Sequence, residues 1–495
     1  MRLLHKLVLG GAAAALVCAA GAQSTGPIQS TVEVDSNAAL FATMAAVGAG
    51  CGLGPQTGAL AQQLRNRVAL HPPPVLPALR AYCQTHGRRD PGRNLAQYIE
   101  LALFLGNPPA LSLTLPAAGL PPDAASVSSV VPLLQQFWQQ EHLDRDWGQA
   151  QKVYQAGLGT DAAAVRAMVT RIDALFRIPQ EYGSSRFFIF PDALVPPLEA
   201  VALNYQQNYY LAVNLNLAPQ MDQIRHTYLQ FVLAPLISAY PAAYRPTAER
   251  ILPLVQRAPA LQAQFKRDAN LFYTECLVRA VEIQLQPGTA AQKQAAVDAA
   301  LAQGLVLTPA WYDNLTQYRL QKANFAEFYP QAAFGLRLSG LVGQVKHMRF
   351  APAAAPSAGA MVTPVRAPNL LALAQARFDA HDLQGAASLA QAELRQPNPD
   401  RASAYFQLAK VAAARNQAPA AVADFQQALR LAPAANVHVR TWANLYLGRI
   451  YDAQRNRKQA LVYYRAALAA ADNSLAKSLA QAGIKAPFLP PVSKH

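Results

Sequence analysis

The chain has 495 residues, of which 52% are hydrophobic and only 14% are charged, and its formal net charge is +15. This length suits about two to four domains, and so apolar a composition excludes a disordered protein. The basic residues are scattered, which argues against a nucleic-acid-binding stripe and favours acidic partners or an anionic envelope surface.

The first 22 residues have the pattern of a secretory signal peptide. Arg2 and Lys6 precede a short apolar run, and Ala20-Gly21-Ala22 forms a cleavage site. The run is too short for a membrane anchor, and the residues before Cys18 fit a lipobox poorly. We therefore predict an exported bacterial protein, periplasmic or secreted, with no transmembrane segment after processing.

Three cysteines remain in the processed chain, namely Cys51, Cys83 and Cys276. An oxidising compartment permits a disulfide, and the first two cysteines lie in one helical region. The sequence therefore predicts a Cys51–Cys83 pair, although an odd count also allows buried free thiols.

Residues 23–350 are predicted to form one mostly helical domain that contains a small sheet. Apolar periodicity predicts helices over residues 38–178, and aromatic and β-branched runs predict strands. The predicted strands are residues 31–35, 185–190, 199–204 and 209–214. The predicted later helices are the one that carries His226 and those at residues 245–257, 261–285, 290–303 and 309–329.

The helix after the strand pair carries His226 and Gln230 four residues apart, and therefore on one face. In the zinc motif H-E-x-x-H two histidines have this spacing. Here the five positions read His226-Thr227-Tyr228-Leu229-Gln230, and Glu275 follows on a later helix. Residues 184–286 thus resemble a gluzincin-type zinc metallopeptidase with a degraded motif.

In that family two helix histidines bind zinc, the glutamate between them activates water, and a later helix supplies a glutamate ligand. By this resemblance His226 and Glu275 match two ligands, whereas Thr227 replaces the base and Gln230 the second histidine. A threonine hydroxyl cannot act as that base near neutral pH, and a glutamine is a poor zinc ligand. We expect no catalytic residue, cofactor or metal, and only a vestigial site at His226, Gln230 and Glu275.

Two alternatives stay open for these residues. His226 can be an ordinary core histidine, with Glu275 paired to Arg225 or Arg279. The chain can also be a working zinc protease that takes its missing ligands from elsewhere, for example His142 or His347.

Residues 351–366 are rich in Ala, Pro, Ser and Gly, which predicts a linker. Beyond it the chain repeats itself at Ala386, Ala421 and Ala460, in steps of 35 and 39 residues. The pattern resembles tetratricopeptide (TPR) repeats of about 34 residues. We place units at residues 367–400, 402–436 and 441–473 and a capping helix at 474–483, with an extra loop near 433–438.

Small and apolar residues at fixed repeat positions are expected to pack the two helices of each unit. The packing positions are Leu408, Ala409, Ala421, Phe425, Ala428, Leu447, Gly448, Ala460, Tyr464 and Ala467. Residues 367–485 should then form an α-solenoid whose surface binds a protein or peptide.

The predicted fold class is mainly α: an α+β metallopeptidase-like domain followed by an α-solenoid. The predicted function is an exported, non-catalytic protein that binds a partner through its repeats. The alternatives are an active zinc protease with non-standard ligands and a purely structural helical scaffold.

Overall fold

The computed structural model of the chain describes residues 32–53, 58–115, 120–177, 186–196, 201–205, 208–215, 220–336, 340–352, 369–396, 399–434, 436–471 and 474–488. This part is mainly helical and contains a small mixed sheet, as the sequence predicts. The predicted signal peptide, residues 1–22, and all but the first two residues of the predicted linker lie outside it.

The chain divides into two compact units. The larger contains Ser30–Ile178 and Ser185–Pro368, and the smaller contains Asn369–His495. None of the described helices is long and apolar enough to cross a membrane.

The larger unit begins with a strand and a group of helices. These are β1 (Val32–Val34), α1 (Ala38–Cys51), α2 (Ala59–Leu70), α3 (Leu76–His86), α4 (Pro91–Ala102), α5 (Pro122–Val127), α6 (Val131–Gln140) and α7 (Leu143–Phe176). Asn37 begins α1 by accepting a hydrogen bond from the backbone N–H of Leu40, and Asp90 caps α4 in the same way. A disulfide joins Cys51 at the end of α1 to Cys83 in α3, with the Cα atoms 5.1 Å apart, and Cys276 is a buried free thiol.

The sheet consists of β1, β2 (Phe187–Asp192), β3 (Val201–Tyr205) and β4 (Asn208–Asn214) in the order β1-β2-β4-β3 within the described residues. The first three strands of that order are parallel, and β3 and β4 form an antiparallel pair in which Val201 lies opposite Ala212. Phe187 on β2 lies beside Tyr209 on β4. Because side chains alternate along a strand, both rings lie on one face of the sheet.

That face is covered by α8 (Met221–Ala239), the helix that follows β4. The remaining helices of the unit are α9 (Pro241–Val255), α10 (Ala263–Arg267), α11 (Ala269–Leu285), α12 (Ala290–Gln303), α13 (Thr308–Tyr318), α14 (Phe325–Phe334) and α15 (Leu341–His347). Phe231 of α8 packs its ring 4.4 Å from that of Tyr209 and 5.5 Å from that of Phe187, measured between centroids. The mostly buried α11 packs in turn against α8, α9 and α13.

Two helices predicted as continuous are broken. The predicted helix at residues 261–285 is divided at Asp268, whose backbone is extended and whose carboxylate accepts hydrogen bonds from the N–H groups of Asn270 and Leu271. The predicted helix at 309–329 is divided before Asn324, which caps α14. Apolar periodicity does not register a capping side chain that starts a new helix inside an apolar stretch.

The smaller unit is an array of helices: α16 (Leu370–Asp379), α17 (Leu383–Leu394), α18 (Arg401–Ala414), α19 (Ala418–Leu431), α20 (Val437–Ala453), α21 (Arg457–Ala470) and α22 (Ser474–Lys485). Each helix packs against the next. Of the ten predicted packing positions, Leu408 is half-buried and the others are buried.

The extra loop that we expected near residues 433–438 is wrong. The connection at 432–436 is shorter than the preceding one at 395–400. The longer step arises from the helices, because α20 has 17 residues against 14 in α18, and α19 has 14 against 12 in α17.

Tyr464 of α21 shows how small residues set the spacing of three helices. A Cβ atom added at Gly448 of α20 would lie 2.6 Å from its ring, and one added at Gly483 of α22 would lie 2.5 Å from it. Both glycines therefore leave the space that the tyrosine ring fills.

Candidate functional site

The candidate site lies where α8 packs against α11. His226 and Gln230 occupy one face of α8, and Glu275, Arg279 and Glu282 form a stripe along α11 at spacings of four and three residues. We refer to these five residues as the His226 cluster. Because Glu275 and Glu282 are buried, their charges must be matched by nearby cationic groups.

Both nitrogens of the His226 ring face a carboxylate. Nδ1 lies 3.0 Å from Oε1 of Glu282, and Nε2 lies 3.2 Å from Oε2 of Glu275. The first contact is an aligned hydrogen bond, whereas the second is an ion pair without hydrogen-bond alignment. The side chains of His226, Glu275 and Glu282 are only 17%, 6% and 5% exposed, so solvent screens these charges weakly.

Arg279 supplies a further positive charge at the more open side of the cluster. Its guanidinium lies 3.2 Å from Oε2 of Glu282 and 4.0 Å from Oε1 of Glu275. Two carboxylates are thus matched by two cationic groups when the His226 ring is protonated.

The pKa values of the pair agree with a protonated ring. Burial alone would lower the pKa of His226, but the charge of Glu275 and the contacts with both carboxylates outweigh it and raise the pKa to about 10. Burial alone would raise the pKa of Glu275, but the charges of His226 and Arg279 hold it below its usual value. The contacts therefore favour an imidazolium between two carboxylates at neutral pH.

The amide of Gln230 is the third group beside Nε2. Its Nε2 atom lies 3.0 Å from the Nε2 atom of His226. Two N–H donors cannot bond to each other, so a protonated ring requires the reverse amide orientation, with Oε1 accepting.

The spacing of these groups is that of hydrogen bonds and ion pairs. The neighbours of His226 Nε2 lie 3.0 and 3.2 Å from it, whereas ligand atoms about 2.0–2.2 Å from a tetrahedral zinc lie about 3.3–3.6 Å apart. Glu282 on Nδ1 stands where a zinc-binding histidine has its supporting carboxylate.

The donor set nevertheless does not fit zinc. Glu275 and His226 are suitable ligands, but Gln230 offers only a neutral amide, and catalytic zinc takes three good protein ligands. A histidine must also lose a proton to bind a metal, and the two carboxylates beside this ring oppose that loss. No group of three or more His, Cys, Asp or Glu side chains that could hold a metal ion occurs among the described residues.

The other residues of the zinc hypothesis do not complete the site. Thr227 is 1% exposed, and its hydroxyl has no hydrogen-bond partner in the described part of the chain. His142 precedes α7 and His347 ends α15, and both are exposed. With no metal-holding group among the described residues, neither supplies the missing ligand there.

The sequence predicts four of the five members of the cluster, Arg279 among them as an alternative partner of Glu275, and misses Glu282. The structure brings His226, Gln230 and Glu275 together, and Glu275 also lies near Arg279, as the simpler alternative predicts. Arg225 pairs with Asp222 on its own helix. Glu282 was missed, although its spacing of seven residues from Glu275 places both on one face of α11.

A second buried acid lies against α8. The phenol of Tyr228 donates a hydrogen bond of 2.6 Å to Oδ1 of Asp173 on α7. Burial raises the pKa of Asp173 to about 6, opposed only in part by that hydrogen bond. Unlike Glu275, Asp173 has no cation among the described residues that lowers its pKa.

Comparison of the chain with known protein families, with curated proteins and with solved structures finds no match.

Proposed function

We propose that the chain is an exported, non-catalytic protein with a lapsed metallopeptidase-like site and a repeat domain that binds a protein or peptide. The observation that carries the proposal is His226, whose Nε2 and Nδ1 are both held by carboxylates. In this arrangement a proton occupies the place that a metal ion takes in a zinc peptidase.

The order of elements supports the metallopeptidase-like part of the proposal. A small sheet precedes α8, and α11 presents Glu275 to His226 from 49 positions later in the chain. His226 and Glu275 keep two ligand types in contact, while by the resemblance two of the residue types needed for catalysis are replaced. Loss of function by substitution accounts for this combination.

The binding part of the proposal is supported by the helical array. Consecutive helices joined by short connections pack in sequence, and the repeated small residues lie buried between them. Arrays of this kind present an extended surface to a partner.

The lapsed site is tested by replacing the missing groups. The double substitution Thr227→Glu with Gln230→His supplies a base and a third ligand, and we expect it to bind one zinc per chain in the full-length protein. The unmodified protein should bind none tightly and should not hydrolyse peptides. The single substitution Thr227→Glu is the matched control, because it makes the same charge change without a new ligand at position 230.

Two results would contradict this proposal. Stoichiometric zinc in the unmodified protein would show a functional metal site. A folded double variant that binds no zinc would show that His226 is an ordinary core histidine.

The binding part is tested separately by capture of a partner with the full chain, followed by competition with residues 369–495. We expect the smaller unit to compete. Capture that depends only on the larger unit would contradict the assignment of binding to the repeats.

A further inference from the structure

The exposed charged side chains that the structure describes in the smaller unit are all basic. Ten basic side chains are exposed, and none of the acidic side chains that the structure describes in this unit is exposed. The exposed basic residues are Arg395, Arg401, Arg415, Arg430, Arg440, Arg455, Lys458, Arg465, Lys477 and Lys485.

Most acidic side chains of the unit have hydrogen-bond or ion-pair partners within it. Asp382 and Asp400 cap α17 and α18 by accepting hydrogen bonds from backbone N–H groups. Glu393 accepts a hydrogen bond of 3.0 Å from the backbone N–H of Asp400, and Asp452 pairs with Arg457 at 3.0 Å. None of the ten exposed basic residues has an acidic ion-pair partner in the described part of the chain. Their charge is therefore not neutralised locally.

These charges concentrate at the ends of the helices. Consecutive helices joined by connections of three to six residues run in opposite directions, so the connections alternate between two ends of the array. The connections at 395–400, 432–436 and 471–473 share one end. Five exposed cations lie at this end, which we term the basic end: Arg395, Arg401, Arg430, Arg440 and Lys477. The opposite end carries four, namely Arg415, Arg455, Lys458 and Lys485, of which Lys458 alone lies in the first turn of a described helix.

Helix stability does not explain this placement. Arg395 and Arg430 follow or end their helices, where a cation is favoured by the helix dipole. Arg401, Arg440 and Lys477 lie in the first turn of α18, α20 and α22, where the dipole disfavours a positive charge. A ligand that is itself anionic would offset that cost.

We propose that the basic end docks onto the surface of an anionic phospholipid bilayer. The five cations come from different helices along one end of the array, so they can contact a broad charged surface together. Leu431, the last residue of α19 and 37% exposed, adds an apolar side chain at the same end. Scattered cations with an apolar neighbour suit a lipid surface better than a single acidic peptide.

The test uses co-sedimentation of the full chain with phosphatidylcholine vesicles that contain or lack phosphatidylglycerol. We expect binding only to the anionic vesicles, weakened at high ionic strength because salt screens the attraction. The triple substitution Arg401→Gln, Arg440→Gln and Lys477→Gln should lower the partition coefficient by roughly 100-fold, since each cation near an anionic membrane contributes about a fivefold factor.

A matched control removes the same charge from the larger unit through Arg80→Gln, Lys152→Gln and Arg250→Gln, three exposed residues. It should bind vesicles nearly as well as the unmodified chain. If the triple variant unfolds, Arg395→Gln with Arg430→Gln tests the same end.

Three results would overturn the proposal: no binding to anionic vesicles at low salt, equal losses in the two triple variants, or binding to polyglutamate through the basic end without binding to vesicles. The last result would identify an acidic protein as the partner.

Discussion

The larger and the smaller unit both have apolar cores but differ in the contacts between their helices. In the larger unit a few buried charges meet across helices, and His226 contacts Glu282, which lies 56 positions away in the sequence. In the smaller unit each helix packs against its neighbour in sequence through alanine, glycine and aromatic side chains. A substitution at His226 should therefore act through an unmatched charge, and a substitution at Gly448 or Gly483 through added volume.

The largest effect is expected when the charge of His226 is removed. His226→Leu leaves two buried carboxylates with only Arg279 as a cation, and breaking a buried ion pair costs about 3–5 kcal/mol of unfolding free energy. Denaturant unfolding of the full chain measures the change.

The control for this variant is Asp222→Asn, which breaks an exposed pair with Arg225. It should cost less than about 1 kcal/mol. Equal stability of His226→Leu and the unmodified protein would show that the cluster contributes no net attraction.

Loss of the disulfide should have the next largest effect, again confined to the larger unit. Cys51 and Cys83 are 32 positions apart, and closing a loop of this length stabilises the folded state by about 3–4 kcal/mol. Unfolding with and without reductant measures it, and Cys276→Ser serves as a control that leaves the bond intact. An unfolding midpoint insensitive to reductant would contradict the prediction.

A smaller effect should follow from added volume in the smaller unit. Gly448→Ala and Gly483→Ala each place a methyl group against the ring of Tyr464, and such overpacking costs about 1–3 kcal/mol. Gly148→Ala in α7 is the control, because no atom lies within 4 Å of the added Cβ there. It should be neutral or slightly stabilising, since alanine favours helix. Equal destabilisation of all three variants would show that contact with the ring of Tyr464 is not its cause.

The pH dependence of the His226 contribution is expected to be the most gradual effect. The pKa of His226 is raised from 6.5 to about 10, so its stabilisation is complete below about pH 6.5 and is lost as the pH rises to about 10. The pKa of Glu275 is lowered, so its contribution is present above about pH 4.5 and is lost as the pH falls further.

This dependence is isolated by the difference in unfolding free energy between the unmodified protein and His226→Gln. Asp173 contributes equally to both and cancels. We expect the difference to shrink from pH 7 to pH 10, and a constant difference over that range would mean that the ring is neutral throughout.

The sequence predicts more of the smaller unit than of the larger one, for a physical reason. Ala421 and Ala460, which the repeat spacing picks out, are each the fourth residue of their helices. The spacing predicts this because the contacts of the smaller unit are local and recur along the chain. The misplaced loop at 433–438 shows the limit, since a longer interval between repeats does not reveal whether a helix or a connection has grown.

In the larger unit the sequence predicts the elements better than their boundaries and charges. The strand pair and α12 follow from local patterns, whereas the break at Asp268 depends on one capping carboxylate. The position of Glu282 against Nδ1 of His226 is decided by how α8 and α11 cross, and no local pattern encodes that crossing.

The protonation state of His226 shows whether the ring is an imidazolium between two carboxylates. Nitrogen NMR of histidine-labelled full-length protein distinguishes a doubly protonated ring from either neutral tautomer, and His226→Gln assigns the signal. We expect both ring nitrogens of His226 to carry protons at pH 8. A neutral ring at pH 7 would contradict this expectation, and would restore His226 as a candidate metal ligand.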